Sequence, residues 1–208
     1  MERHNSGEDA PEAPGNFTRG RAFRTAALAA GGALATVTTI GAAERLNAAA
    51  PSAEQDKRVL NLLLRVEYTE AAFYAAALQD AGLTGELEEY ARVVLAHEKE
   101  HVTFLKGALG DAAEAEPGYD FAAVTADADA FAAAAAKLED IAVGAYNGQA
   151  ANVTEAAFLA AARIVSVEAR HAAWIRSIRD ADPAPDAVDS PYDERRVQQG
   201  LRELGVQS

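Results

Sequence analysis

The sequence predicts an all-α protein whose main part is an antiparallel bundle of four helices, with a long crossover between the second and the third. Three observations support this fold class. After Pro51, apolar residues recur at the helical spacing of three and four positions, and no segment alternates convincingly with a period of two. Turn-forming residues divide this region into four helical runs. Half of the 208 residues are hydrophobic and many of them are Ala, which favours closely packed helices.

Capping and helix-breaking signals set the bounds of the predicted helices. A capping-box pattern, SAEQ at 52–55, begins the first helix, and GLTGE at 82–86 separates it from the second. Residues 110–125 contain Pro and Gly and predict the crossover. A second capping-box pattern, NVTE at 152–155, begins the fourth helix. The helices then span about 52–81, 87–109, 125–151 and, from the cap at 152, to about 179, within a bundle at 51–182 that precedes a polar C-terminal tail with one short helix at 183–208.

The first fifty residues are not expected to belong to the bundle. Residues 1–18 are polar and rich in Pro and Gly, which predicts disorder. Three arginines at 19–24, an uncharged run at 25–43 and an A-x-A pattern at 48–50 follow in the order of a cleaved export signal. The stretch TRGRAF resembles a twin-arginine signal, except that Gly20 stands where the first arginine of the pair would be. We therefore expect residues 1–50 to direct export to the periplasm, cell envelope or extracellular space; a retained membrane anchor and a packed Ala-rich helix are the alternatives.

Charge and composition narrow the classes of function. The chain has 19 Lys and Arg against 32 Asp and Glu, and its formal net charge of −13 argues against binding nucleic acid. The same charge argues against an anionic membrane surface, so we expect membrane contact only through the N-terminal segment. There is no Cys, which excludes disulfides, thiolate metal sites and a cysteine nucleophile.

Each predicted helix carries one glutamate on its apolar stripe, and the second and fourth helices add a histidine three residues later. An antiparallel pair brings two residues level when the turn lies midway between them. The midpoints of the two glutamate pairs fall at 82–83 and 153–154, where turns are predicted. The second midpoint requires the third helix to continue through Gly148, at a cost of about 1 kcal/mol. The series is Glu67, Glu98 with His101, Glu139, and Glu168 with His171.

Such a set of side chains favours a metal site. A single glutamate on a helix stripe is usually at the edge of the buried face, where it reaches water. Four carboxylates that converge in a bundle core repel one another unless they are protonated or neutralised by cations. Two divalent ions would balance four carboxylates, and imidazoles would complete the ligand sets. Mixed carboxylate and imidazole ligands suit iron or manganese, with zinc as a further candidate.

Two segments of the chain resemble known proteins. LRVEYTEAAFYAAAL and LAHEKEHVTFLKGAL, together with the glutamate and histidine series, resemble the ferritin-like superfamily and its exported, desiccation-related branch. The resemblance covers about 52–180 and implies a dinuclear centre with two iron ions, or manganese. Glu98 and Glu168 would bridge the ions, and Glu67 and Glu139 would be terminal. By matching position, the implied ligands are Glu67, Glu98, His101, Glu139, Glu168 and His171.

The resemblance also implies a function. Family members oxidise Fe(II) with dioxygen or peroxide, so we expect metal ions and one of these oxidants as partners, in iron or oxidative-stress handling. Two alternatives stay open: a non-enzymatic, stress-associated bundle, and peroxide disproportionation similar to that of manganese catalases. Homo-oligomer formation also stays open.

Two tyrosines are placed symmetrically with respect to the predicted ligands. Tyr74 follows Glu67 by seven residues, and Tyr146 follows Glu139 by seven, so each phenol lies two turns along the same helix face. They are candidates for hydrogen bonds to the ligands or for an electron relay. Core aromatic residues with a polar end are the alternative interpretation.

Residues 97–101 also match H-E-x-x-H, the helix motif of zinc proteases. The motif has no H-E-x-x-H-x-x-G-x-x-H extension, and no strand is predicted to hold a peptide. A second Glu-x-x-His at 168–171 lacks the leading histidine, which favours the bundle interpretation. We therefore expect His97 to lie at the surface or its boundary, so that His97→Ala leaves metal binding largely intact whereas His101→Ala does not.

Overall fold

The computed structural model describes residues 50–207, so the predicted export signal lies outside the described residues except for Ala50. Within 50–207 the regular elements are all helical, which confirms the all-α class, and one isolated β-bridge joins Tyr119 to Val206. No helix in this part of the chain combines the length and apolar character needed to cross a bilayer. The α-helices are α1 (Ala53–Asp80), α2 (Gly85–Leu109), α3 (Ala128–Gln149), α4 (Glu155–Ile178) and α5 (Glu194–Glu203).

Helices α1 to α4 form the predicted antiparallel bundle. α1 packs mainly against α2, and α3 packs mainly against α4. Tyr74 of α1 contacts Glu139 of α3, whereas the earlier Glu67 of α1 contacts the later Tyr146, so α1 and α3 are antiparallel as well. The connection between α2 and α3 covers 110–127 and includes a short 3-10 helix at Gly110–Ala112. This is the long crossover that the sequence predicts.

The helix starts combine predicted and unpredicted caps. The Ser52 hydroxyl accepts a hydrogen bond from the Gln55 amide at 3.2 Å, which confirms the first predicted cap. α4 begins after Thr154, two residues later than the second capping-box pattern predicts. The reason is a tertiary contact, because Asp56 of α1 accepts hydrogen bonds from the Thr154 amide at 2.8 Å and its hydroxyl at 2.6 Å. The first helix thus caps the fourth.

The C-terminal segment packs on the bundle in spite of its polar composition. Val197 and Leu201 of α5 are buried, and α5 lies against α3. Ahead of α5, the Tyr192 amide donates a hydrogen bond to the Gly144 carbonyl at 2.8 Å. A Cβ atom at Gly148 would lie 1.9 Å from the Tyr192 carbonyl oxygen. The close approach of this segment therefore explains why α3 tolerates glycine in its interior.

Aromatic and small side chains fill the bundle core around its polar centre. Phe73, Tyr74, Tyr90 and Phe131 are fully buried, and Tyr74 packs edge-on against each of the other three rings. Many of the buried residues on α3 are Ala. Small residues let helix backbones approach closely, which keeps the glutamates of facing helices within reach of one another.

Candidate metal centre

All six predicted ligand positions meet in the middle of the bundle. The four glutamates are fully buried, His171 is 3% exposed and His101 is 9% exposed. α1 and α3 each contribute one of these glutamates, and α2 and α4 each contribute a glutamate with a histidine one turn later, on the same face. The members of the cluster are Glu67, Glu98, His101, Glu139, Glu168 and His171.

His101 faces three carboxylates. Its Nδ1 atom lies 3.1 Å from Glu67 Oε2, 2.9 Å from Glu98 Oε2 and 2.9 Å from Glu168 Oε1. These four residues form one group whose donor atoms lie within 4.8 Å of one another. A single imidazole nitrogen surrounded by three carboxylate oxygens is the first half of the centre.

His171 has nearly the same surroundings on the other side. Its Nδ1 atom lies 3.1 Å from Glu98 Oε1, 3.3 Å from Glu168 Oε2 and 3.7 Å from Glu139 Oε2. Glu139, Glu168 and His171 form the second group of donors. Glu98 and Glu168 therefore face both histidines with different oxygens, whereas Glu139 faces only His171 within these distances. Two of the four carboxylates are thus close to both histidines, and the other two are each close to one.

The donor set fits cations. One N–H group can donate a well-aligned hydrogen bond to only one oxygen, yet each histidine Nδ1 atom is close to three carboxylate oxygens. Glu98 Oε1, Glu139 Oε2 and Glu168 Oε1 are buried and have no hydrogen bond of good geometry, in spite of the short distances to the imidazoles. Buried charged oxygens without partners are costly. Adjacent ligands of an octahedral ion with bonds of about 2.1 Å lie about 3.0 Å apart, close to the spacings around both imidazoles.

In the metal-free protein, protons on the side chains offset the negative charge of this cluster. Burial lowers the pKa of His101, but the nearby carboxylates of Glu168, Glu67 and Glu98 raise it to about 12. Burial also lowers the pKa of His171, but the nearby carboxylates of Glu168 and Glu98 raise it to about 10. Burial also raises the pKa of Glu67 and of Glu139 well above the ordinary value.

Glu98 behaves differently from these two glutamates. Burial acts to raise its pKa, but the adjacent imidazoles of His101 and His171 outweigh this effect and lower the pKa to about 2. Protonated imidazoles thus occupy the electrostatic role that cations would take. Metal binding would have to displace these protons.

The two predicted tyrosines make crossed hydrogen bonds to the glutamates. Tyr146 of α3 donates to Glu67 Oε1 of α1 at 2.5 Å, and Tyr74 of α1 donates to Glu139 Oε1 of α3. Burial raises the pKa of both phenols well above 10, so both remain protonated donors. Each tyrosine therefore orients the glutamate of the opposite helix, rather than the one on its own helix.

Sequence reasoning missed two residues beside the centre. Glu70 is fully buried, and neither carboxylate oxygen has a hydrogen-bond partner. Its pKa is raised well above the ordinary value, first by burial and then by Glu98 and the other carboxylates. Tyr90 of α2 lies 3.1 Å from Glu139 Oε1 and 2.8 Å from the Tyr74 hydroxyl. Glu70 follows Glu67 at the same spacing of three as in Glu-x-x-His, and that signal could have found it.

His97 lies on the exposed side of α2, as expected, but it is not isolated. Its Nδ1 atom lies 2.8 Å from His171 Nε2, on the side of the His171 ring that faces away from the carboxylates. The ring planes differ by 18°. His97, the first histidine of the H-E-x-x-H match, therefore contacts the centre through His171.

The fold and the cluster define a helical-bundle protein with a buried carboxylate and histidine centre suited to metal ions. A comparison with family models matches residues 55–181 to the ferritin-like domain, and the chain belongs to that family. No curated protein matches the chain.

Proposed function

We propose that the centre binds two metal ions and that the protein oxidises Fe(II) with dioxygen or peroxide. The observation that carries this proposal is the pair of histidine nitrogens, each facing the same two glutamates and one further glutamate of its own. Imidazole and carboxylate ligands suit iron, and manganese is the alternative. His101 with Glu67 would hold one ion, His171 with Glu139 the other, and Glu98 and Glu168 would be shared.

The surrounding residues have defined tasks in this proposal. When bound, iron supplies the one-electron redox chemistry that the side chains of this chain lack. Tyr74, Tyr90 and Tyr146 hold the terminal glutamates in place through their hydroxyl groups. Full burial of the glutamates keeps bulk water away from the reacting groups. Glu70, whose raised pKa keeps it protonated, holds a proton close to the centre.

The reaction balances with Fe(II) as substrate. Each Fe(II) ion gives up one electron, and two such electrons with two protons reduce peroxide to water. With dioxygen as the oxidant, two electrons and two protons first yield peroxide. The net effect is to lower free Fe(II) and oxidant together.

Aerobic addition of Fe(II) to the metal-free protein, followed by optical spectroscopy, tests this proposal. We expect faster oxidation than in buffer, and its loss in Glu98→Ala because both histidines face that carboxylate. Glu100→Ala is the matched control, since Glu100 is an exposed glutamate on the same helix. If the protein binds metal but Fe(II) oxidises no faster than in buffer, the enzymatic proposal fails. Activity with manganese and peroxide would instead favour the catalase-like alternative.

We also propose that the protein is exported. The basic, weakly apolar and A-x-A segments before Pro51 support this. Intact mass of secreted material is the test. A mature chain that begins near Pro51 would support export with cleavage, and material that retains Met1 would oppose it.

A further inference from the structure

The His97–His171 contact gives the centre a link to the protein surface. His171 is 3% exposed, whereas His97 is an exposed residue of α2. The 2.8 Å separation between His97 Nδ1 and His171 Nε2 is a hydrogen-bond distance. The two residues are 74 positions apart, so the contact exists only because α2 and α4 are neighbours in the bundle.

The two nitrogens of the His171 ring face different partners. Nδ1 faces the carboxylates of the centre, with Glu98 Oε1 nearest at 3.1 Å, whereas Nε2 faces His97. A neutral imidazole carries its proton on one nitrogen and a lone pair on the other. To bind a metal ion through Nδ1, His171 must therefore carry its proton on Nε2. That proton needs an acceptor, and His97 Nδ1 is in the place to accept it.

His101 lacks the same support. Its described hydrogen bonds all involve Nδ1, and residues 50–207 show none from its other nitrogen. On α4, the position that corresponds to His97 is Val167, which offers no side-chain acceptor. Within the described residues, only His171 therefore has a side-chain partner for the ring nitrogen that faces away from the carboxylates.

We propose that His97 is a positioning residue that accepts a hydrogen bond from His171 Nε2–H and so presents the Nδ1 lone pair of His171 to one metal ion. Outer partners of this kind fix the tautomer and the ring orientation of a histidine ligand. The inference rests on the proposed metal centre and reverses the sequence-based expectation that His97 is dispensable. It also makes the two ions unequal, because only the one next to His171 depends on His97.

Titration of the metal-free protein with Co(II), followed by visible absorption, tests this inference without any assay of activity. We expect wild type to bind two ions. In His97→Ala, we expect one ion to bind as before and the other to bind about 10- to 100-fold more weakly. His97→Asn should recover much of the lost affinity, because its side-chain oxygen can stand near the position of Nδ1. Lys99→Ala is the control, since Lys99 is exposed on the same helix and adjacent to Glu98.

A second readout reports the hydrogen bond itself. In protein loaded with diamagnetic Zn(II), ¹⁵N-edited NMR of the imidazoles should show a hydrogen-bonded His171 Nε2–H proton in wild type. We expect this proton to exchange rapidly with water in His97→Ala, while the melting temperature of the metal-free protein stays close to wild type because His97 is exposed.

The outcomes separate the two proposals. Failure of wild type to bind two ions overturns the proposed metal centre and this inference with it. If wild type binds two ions and His97→Ala matches it, the role of His97 is overturned and the centre stands. Equal weakening of both ions, or no recovery in His97→Asn, overturns the positioning role as well.

Discussion

The two helix pairs of the bundle repeat one ligand pattern but not its supports. Each pair has a glutamate followed by a tyrosine seven residues later, and a Glu-x-x-His on the partner helix. The pair α1 and α2 adds Glu70, Tyr90 and His97, where the pair α3 and α4 has Ala142, Ala160 and Val167 at the corresponding positions.

Two of these added residues, Tyr90 and His97, contact ligands of the second pair. Tyr74 and Tyr90 both bind Glu139, and His97 contacts His171. In return, Tyr146 binds Glu67. We infer that the ligand set is close to symmetric while its hydrogen-bonded surroundings are not, so that two bound ions would differ in affinity and reactivity. Four predictions probe this difference.

Removal of a shared carboxylate should have the largest effect. Glu168 faces both histidines, whereas Glu67 faces only His101 among them. We expect Glu168→Ala to abolish binding of both ions, and Glu67→Ala to weaken mainly one. Metal content per chain after loading and desalting measures both effects. Equal losses in the two variants would contradict the assignment of shared and terminal ligands.

Metal loading should release protons, and wild type should release more of them than a variant that lacks one of the two histidines. In the metal-free protein the pKa of His101 is about 12 and that of His171 about 10, so both are protonated at neutral pH. A metal ligand must be neutral, so binding should weaken as pH falls and strengthen as pH rises toward these values. Calorimetry in buffers of different ionisation enthalpy measures the release, and His171→Ala should reduce it. No net proton release at neutral pH, or metal binding that does not strengthen as pH rises, would contradict this account.

The tyrosines should contribute unequally to the stability of the metal-free protein. Tyr146→Phe removes the hydroxyl group that donates a hydrogen bond to buried Glu67, and we expect a loss of roughly 1–3 kcal/mol in the free energy of unfolding. Tyr90→Phe should cost less, because Tyr74 still donates to Glu139. Urea denaturation measures both. A larger loss for Tyr90→Phe would show that the two ends of the centre are not supported as described.

The smallest effects should come from the helix caps. Asp56→Ala removes both hydrogen bonds to Thr154 and with them the tie between α1 and α4, at a cost of about 1 kcal/mol. Ser52→Ala removes only the cap of α1 itself, at an exposed position, and should cost about half as much. Thermal unfolding of the two variants makes the comparison. The reverse order would mean that α4 does not depend on α1 for its start.

The sequence predicts those features of the fold that depend on local spacing. The helical period identifies four helices, and the recurrence of one glutamate on each stripe identifies six residues that the structure brings together. The sequence does not predict the features that depend on which helices are neighbours in the bundle. The Asp56 cap of α4, the approach of Tyr192 to Gly148 and the contact of His97 with His171 all join residues that are distant in the sequence.

Glu70 and Tyr90 were missed for a different reason. The repeat consists of one glutamate on each helix stripe, and Glu70, one turn after Glu67, lies outside that repeat. Tyr90 also lies outside the repeat, because Ala160 stands at the corresponding position of the second pair. The docked position of α5 was missed because its few buried side chains lie within a polar segment.

Metal stoichiometry is the most direct test of the central claim that Glu98 and Glu168 join two ion sites in one bundle. The measurement is elemental analysis of the protein after anaerobic loading with Fe(II), in parallel with the Glu98→Ala variant and the Glu100→Ala control. The account predicts about two ions per chain in wild type and in Glu100→Ala, and close to none in Glu98→Ala. Fewer than one ion per chain in wild type, or unchanged loading in Glu98→Ala, would contradict it.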